Sequence, residues 1–438
     1  MQAETFDVPF ISLVIPTRNR PDLVEYCLAC IARQTFTRFE VILSDNGTNK
    51  LCDEQFQPYR TDPRFRYVRP ETPFNMCRHW QFAVSFARGD YITVLSEKFM
   101  LRPDALLILF NLTQRKPADL YSWQFERYEV SDNDLLNGHY HPLMKPVAVS
   151  EYSTRGELQR RLDFATPTFY RPLRHKTSYG KLYSGCVKRI VLEQAMQHFG
   201  NIFQPYSPDY TSMVALLNES ETAVDVGQSL MLVVFASGIS TGEATKVSLN
   251  VTKNYCLEYA DDIPDFTQRT LFPGAWVGHN SFIAYDYYVM QQKARYGPIR
   301  DLTINRANLL SWLITDLAEV TDWAEYDEQG FKVAISRYLA QYSAQQQTEI
   351  LQRADALSQV APCLREIYHS GLVKLDTMPW PMPAKLLAQT HWQHGKAPAR
   401  KNVLAKDGGI LAAVDYCYHY NQLSCKLLGI TPQSDTND

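Results

Sequence analysis

Four short runs rich in β-branched and aromatic residues recur through the first hundred positions, separated by polar loops and stretches of helical periodicity. The runs are Phe10–Ile15, Phe39–Leu43, Phe65–Val68 and Tyr91–Leu95. Strands alternating with helices predict a parallel sheet, because parallel neighbours need a crossover that returns the chain to the same edge. Pro16 stops the first run, and Pro21-Asp22 opens a helix striped by Leu23, Cys27, Leu28 and Ile31. Ser44-Asp45-Asn46-Gly47-Thr48 is a turn at the end of the second run. Right-handed crossovers bring both loops to one edge of the sheet. Cys77–Ala87 is a further helix with Trp80, Val84 and Ala87 on one side, leading through Gly89-Asp90 into the fourth run.

Ser96, Glu97 and Lys98 stand just past the carboxyl end of that fourth run, ahead of a helix predicted to start at Pro103–Leu106. Open α/β sheets bind ligands at such strand ends. A polar triplet with a carboxylate there holds a metal or a phosphate, or else is an ordinary solvated turn. No G-x-G-x-x-G follows the first run, which argues against a dinucleotide cofactor, and no Gly-rich, lysine-bearing phosphate loop follows it either, which argues against a nucleotidyltransferase.

The chain has 438 residues, enough for two or three domains. Lys and Arg (44) nearly balance Asp and Glu (47), so no global positive field draws nucleic acid or an anionic membrane. Nine scattered cysteines, with Cys27-x-x-Cys30 inside a helical stretch and no second pair at zinc-site spacing, read as reduced core thiols. The start MQAETFDVPF lacks a basic apolar leader, and runs such as Leu230–Ala236 are far short of the ~20 residues of a membrane span. A soluble, cytoplasmic protein is expected.

Further along, strand-like runs are expected within Ala118–Tyr128 and Val224–Ala236, a strand end and then a helix over Leu182–Gly200, ending on a Gly cap, and a helix at Thr211–Leu217. Asp209 stands just ahead of the latter helix, where a carboxylate either caps the helix or is presented for chemistry. Ala236–Glu243 is a Gly/Ser loop that either closes over a diphosphate or merely connects. Beyond about residue 250, Arg306–Val320, Phe331–Gln341 and Gln346–Val360 have helical periodicity. Trp276, His279, Tyr285, Tyr287 and Tyr288 either border a cleft or belong to a core or interface.

SLVIPTRNRPDLVEYCLACIARQTFTRFEVILSDNGTN and then HWQFAVSFARGDYITVLSEKFMLRPDAL resemble the nucleotide-sugar-binding half of the family-two glycosyltransferases. The resemblance implies an α/β GT-A fold: a Rossmann-like half-domain with a mostly parallel sheet flanked by helices, followed by a mainly helical C-terminal extension. It divides the chain into a glycosyltransferase domain at 1–248, with the nucleotide-sugar half at about 1–110 and the acceptor half at 111–248, and the extension at 249–438. It places the nucleoside against Pro16, Thr17, Arg18, Arg20, Asp45 and Asn46, the last standing where a second acidic residue is common. Where the family has the DXD motif that holds Mg²⁺ or Mn²⁺ against the diphosphate, this chain has Ser96, Glu97 and Lys98. Glu97 becomes the implied metal ligand, and Ser96 and Lys98 the diphosphate contacts, with the cation weak or dispensable if Lys98 neutralises the diphosphate itself. Asp209 matches the family's general base in placement, though without the acidic residue often before it. His279 is a weak counterpart of a metal-binding His. The implied function is an inverting transfer of sugar from a nucleotide diphosphate to a hydroxyl of a glycan or lipid-linked acceptor, in bacterial-type surface polysaccharide synthesis. The alternative is a catalytically silent scaffold on the same fold. If Asp209 only caps, the base is to be sought at Glu243, Asp225 or His279.

Overall fold

The computed structural model describes residues 8–131, 134–141, 146–164, 179–235, 244–245, 247–275, 278–354 and 409–430. β1 (Ile11–Thr17) lies between β2 (Phe39–Asp45) and β4 (Tyr91–Val94), parallel to both, and β3 (Phe65–Val68) extends the parallel set beyond β2. The crossovers are α1 (Pro21–Ala32), α2 (Leu51–Phe56) and α3 (Met76–Val84). β1 and β2 are buried along their whole length, as parallel strands covered on both faces must be. Their side chains alternate between two cores. Val14 and Ile42 join one, while Leu13, Ile15, Val41 and Leu43 join the other.

The sheet continues through shorter and less regular strands. β5 (Phe99–Leu101) precedes α4 (Ala105–Arg115), and β6 (Leu120–Ser131), β7 (Asp134–His141), β8 (Ser150–Glu151), β9 (Gly185–Lys188) and β10 (Ala223–Phe235) follow. The order is β3-β2-β1-β4-β9-β6-β10-β5, with β7 on β6 and β8 on β10. β9 is antiparallel to β4 and β6, so β6 and its parallel neighbour β10 run the same way as β1 to β4. The result is a mostly parallel sheet flanked by helices.

α5 (Thr154–Leu162), α6 (Arg189–Phe199) and α7 (Pro208–Glu219) cover one face together with α3. α6 ends at Gly200, whose φ of 75° is the left-handed conformation that suits a glycine cap. Helices Ile263–Arg269, His279–Lys293 and Arg306–Glu319 add Phe266, Phe282 and Trp312 to this same core. Glu328–Leu339 and residues 344–354 are helical as well. The C-terminal helix Gly409–Leu428 crosses to the opposite face, where Ile410, Val414 and Tyr416 pack with α1, α4 and β10. The helical extension therefore grips the sheet from both sides. Among the described residues, eight cysteines are free and buried, and no helix is long and apolar enough to cross a membrane.

Candidate functional site

Parallel register decides which loops meet. Thr17 lies opposite Asp45 at the carboxyl ends of β1 and β2, and Val14 lies opposite Val94 of β4. The loops at 18–20, 45–49 and 96–98 therefore open on one edge.

Pro16 and Thr17 are buried, and the Thr17 hydroxyl has no hydrogen-bond partner among the described residues. Arg18 is exposed and pairs with Glu258 at 3.2 Å, which links the loop after β1 to the helical extension. Arg20 is held by Asp22. Asp45 is fully buried and already engaged: Oδ1 accepts the Gly47 N–H at 2.8 Å, and Oδ2 accepts the Tyr67 hydroxyl at 2.7 Å and Arg69 Nη1 at 3.2 Å. Its carboxylate thus fixes two side chains from the β3 end. Asn46 bonds both backbone groups of Phe74, donating from Nδ2 at 2.7 Å and accepting at Oδ1 at 2.8 Å. A carboxylate lacks the donor for the first bond, which is a structural reason for an amide here. Beneath this edge, Ser44 Oγ lies 2.9 Å from His79 Nε2, and burial pushes that imidazole down to about 4, so it is neutral at physiological pH.

At the β4 end, the Phe99 N–H closes a turn onto the Ser96 carbonyl at 2.9 Å. The Ser96 hydroxyl donates to Glu97 Oε2 at 3.1 Å. Glu97 is half-buried, and burial raises its carboxyl above the usual range, with the neighbouring charges of Lys98 and Arg20 acting the other way. Lys98 is half-buried, its ammonium 5.9 Å from the Phe99 ring. One carboxylate and one hydroxyl are hard oxygen donors that fit a Mg²⁺ or Mn²⁺ ion whose other ligands are waters and phosphate oxygens.

Asp209 is the second residue of α7, which begins Pro208-Asp209 after Ser207. It makes no cap hydrogen bond. Its Oδ2 instead accepts Lys181 Nζ at 2.7 Å, while the N–H groups of Tyr206 and Ser207 go to the Asp286 carboxylate at 3.1 and 2.8 Å. Asp286 lies wholly inside the protein, and burial pushes its carboxyl up to about 8. The segment around Lys181 ties Asp209 to the β4 end. Thr93 of β4 donates to the Leu182 carbonyl at 2.6 Å, and the Tyr183 ring stacks on Phe99 at 5.3 Å.

Sequence reasoning missed Lys181, Asp286, Tyr67 and Arg69. The last two stand at the end of β3, so the strand-end rule applied to all four strands would have found them. Lys181 and Asp286 act through burial, which a lone charged residue in a sequence does not announce. Tyr287 lies in the core and borders no cleft, because its helix turns that face toward Phe164 and Tyr210. Tyr285 is half-buried and Tyr288 exposed. The His279 ring lies 6.3 Å from that of Tyr210, at the start of its helix. Asp225 is buried and bonded by the Tyr179 hydroxyl and the Gly227 N–H, so it is no exposed substitute for Asp209. Trp276, Glu243 and the loop to which Glu243 belongs lie outside the described residues. Three carboxylates, Asp261, Asp262 and Asp265, cluster on the extension, but Asp261 already pairs with Arg269 and Tyr206.

Residues 12–173 match the family model described as Glycosyl transferase family 2. Among curated relatives, "Glycosyltransferase GlyG" of Streptococcus pneumoniae is 24% identical over 201 residues, covering 43% of this chain and 64% of the relative. "Putative colanic acid biosynthesis glycosyl transferase WcaA" of Escherichia coli is 30% identical over 110 residues, covering 24% of this chain and 39% of the relative. The matched stretches thus span less than two thirds of either relative. Of solved structures, S. aureus TarS 1-349 superposes with a TM-score of 0.44 at 13% identity, covering 76% of this chain and 92% of that one.

Proposed function

We propose, for a chain whose residues 12–173 match the family-two glycosyltransferase model, that it transfers a sugar with inversion from a nucleoside diphosphate to a hydroxyl of a glycan or lipid-linked acceptor. One observation carries this reading: the Lys181–Tyr183 segment, buried at Lys181 and Leu182, links Asp209 to the strand edge that the loops of Thr17, Asp45 and Glu97 share. Donor-side and acceptor-side chemistry then share one cleft. The relative named for colanic acid biosynthesis supports a place in surface polysaccharide synthesis. A cytoplasmic location accords with where sugar nucleotides are made.

The nucleoside lies over the β1 and β2 ends, framed by Thr17, Arg18, Arg20, Asp45 and Asn46. Ser96 and Lys98 face the diphosphate, and Glu97 is the residue to hold a divalent cation, which when bound would neutralise charge on the leaving diphosphate. The acceptor oxygen is the nucleophile, and Asp209 takes its proton as the bond to the anomeric carbon forms on the face opposite the diphosphate. A single in-line displacement inverts the centre.

A thermal-shift panel of sugar nucleotides tests the reading first. A donor at 100 times its Kd stabilises by about 2.7 kcal/mol, and slow release of nucleoside diphosphate should accompany binding. Binding without any turnover, with or without added acceptor, marks a silent scaffold instead.

Three substitutions resolve the donor side. Asp45→Ala is expected to weaken nucleotide binding by roughly 1–3 kcal/mol and also to lower the thermal midpoint, since Tyr67 and the Gly47 N–H lose their acceptor and Arg69 loses its carboxylate partner. Calorimetry showing unchanged affinity in the folded variant removes the nucleoside from this place. Glu97→Gln is expected to abolish the response of turnover to Mg²⁺ or Mn²⁺ while leaving folding intact. If that response survives and Lys98→Ala abolishes donor binding, the lysine carries the diphosphate and Glu97 holds no metal.

A further inference from the structure

Lys181 is only 1% exposed, and a buried ammonium requires an anion beside it. The anion is Asp209, whose Oδ2 receives Nζ at 2.7 Å, while the same Nζ sits 3.3 Å from the centre of the Tyr210 ring. The chain is built to deliver it there. Gly180, at φ 81°, lies so close to α7 that a Cβ would come within 2.8 Å of the Leu217 side chain and 3.0 Å of Met213. Asp209, Met213 and Leu217 follow at intervals of four, one helix face, so the segment that packs on the later turns feeds Lys181 toward the first. Asp286 secures the preceding backbone by accepting from Tyr206 and Ser207. The Asp209 side chain is 25% exposed, and its Oδ1 accepts no hydrogen bond from the described residues.

We propose that Lys181 is a positioning residue for the transfer: it holds Oδ2 of Asp209 so that Oδ1 faces the acceptor hydroxyl. The proposal rests on the reading of Asp209 as the general base. Lys181 does not touch substrate in this arrangement. It sets the rotamer of the carboxylate, with the Tyr210 face closing the other side of the ammonium. Misplacement by about 1 Å is enough to cost a catalytic group some 10²-fold.

The test is a double-mutant cycle on the full chain, using whichever of UDP-glucose, UDP-N-acetylglucosamine and GDP-mannose is turned over fastest, with release of nucleoside diphosphate as the readout. Lys181→Met is expected to lower kcat roughly 10- to 100-fold with the donor KM changed less than about threefold, and Lys181→Arg to restore much of the loss. In an Asp209→Asn background, Lys181→Met should cost nothing further, since the group it positions is gone. Losses that multiply, or a Lys181→Met enzyme with normal kcat, overturn the positioning role while leaving the base assignment standing. Normal turnover in Asp209→Asn alone overturns the base assignment and the proposal with it. Should Lys181→Met fail to fold, Lys181→Arg and the double variant, in which both charges leave together, carry the comparison.

Discussion

Asp209→Asn is expected to lower transfer turnover about 10²- to 10⁴-fold, the usual worth of a positioned acid or base, while donor affinity stays within about threefold. The geometry explains why the amide is a severe yet shape-preserving change. Its single carbonyl oxygen is the one atom of the amide that can accept from Lys181, so the amide NH₂ turns toward the acceptor hydroxyl and cannot take its proton. The variant also leaves a buried ammonium facing a neutral partner, so the thermal midpoint should fall. Loss of a helix cap is not the cause of that fall, because Asp209 makes no cap bond and Asp286 satisfies the backbone just before the helix. Kinetics and calorimetry on the same preparation separate the effects. A variant that is merely less stable and turns over at the normal rate overturns the catalytic assignment.

The second large effect is on stability and concerns the face of the sheet covered by the C-terminal helix. Glu126 of β6 is fully buried under the C-terminal helix, where Asn421 Nδ2 donates to its Oε1 at 3.0 Å and its Oε2 has no hydrogen-bond partner among the described residues. Burial pushes this carboxyl from 4.5 up to about 8, against the favourable influence of Asn421 and of Arg102, which itself pairs with Asp104 at 2.7 Å. A carboxyl raised in the folded state favours folding fully below its unfolded value and loses that contribution as pH rises through the folded value. The wild type should therefore lose stability between about pH 4.5 and 8 relative to Glu126→Gln, at no more than about 1.4 kcal/mol per pH unit. The gap should reach a few kcal/mol by pH 8 and then level off. Urea denaturation of both proteins at pH 5, 6.5 and 8 reads this directly. A gap independent of pH shows that Glu126 is not held protonated.

The sequence by itself determined the parallel half of the fold. The runs that became β1, β2 and β4 are mostly apolar because strands buried on both faces favour apolar side chains, and this signal is local. It also placed Thr17, Asp45 and Glu97 at strand ends, since one handedness of crossover leaves them one edge to share. Asp209 was marked as either a cap or a base, and local pattern had no means of choosing. That Asp209 makes no cap bond followed from Lys181 and Asp286, which are 28 and 77 positions away and are buried ionisable groups whose partners depend on packing. The antiparallel strands β5, β7, β8 and β9 are short or polar, and they form because β4, β6 and β10 offer unpaired edges rather than through any propensity of their own. Likewise nothing local told the helix Gly409–Leu428 to cross to the face opposite the rest of the extension. It lies there because the sheet presents a second apolar face, with Glu126 waiting for Asn421, that only the assembled strands create.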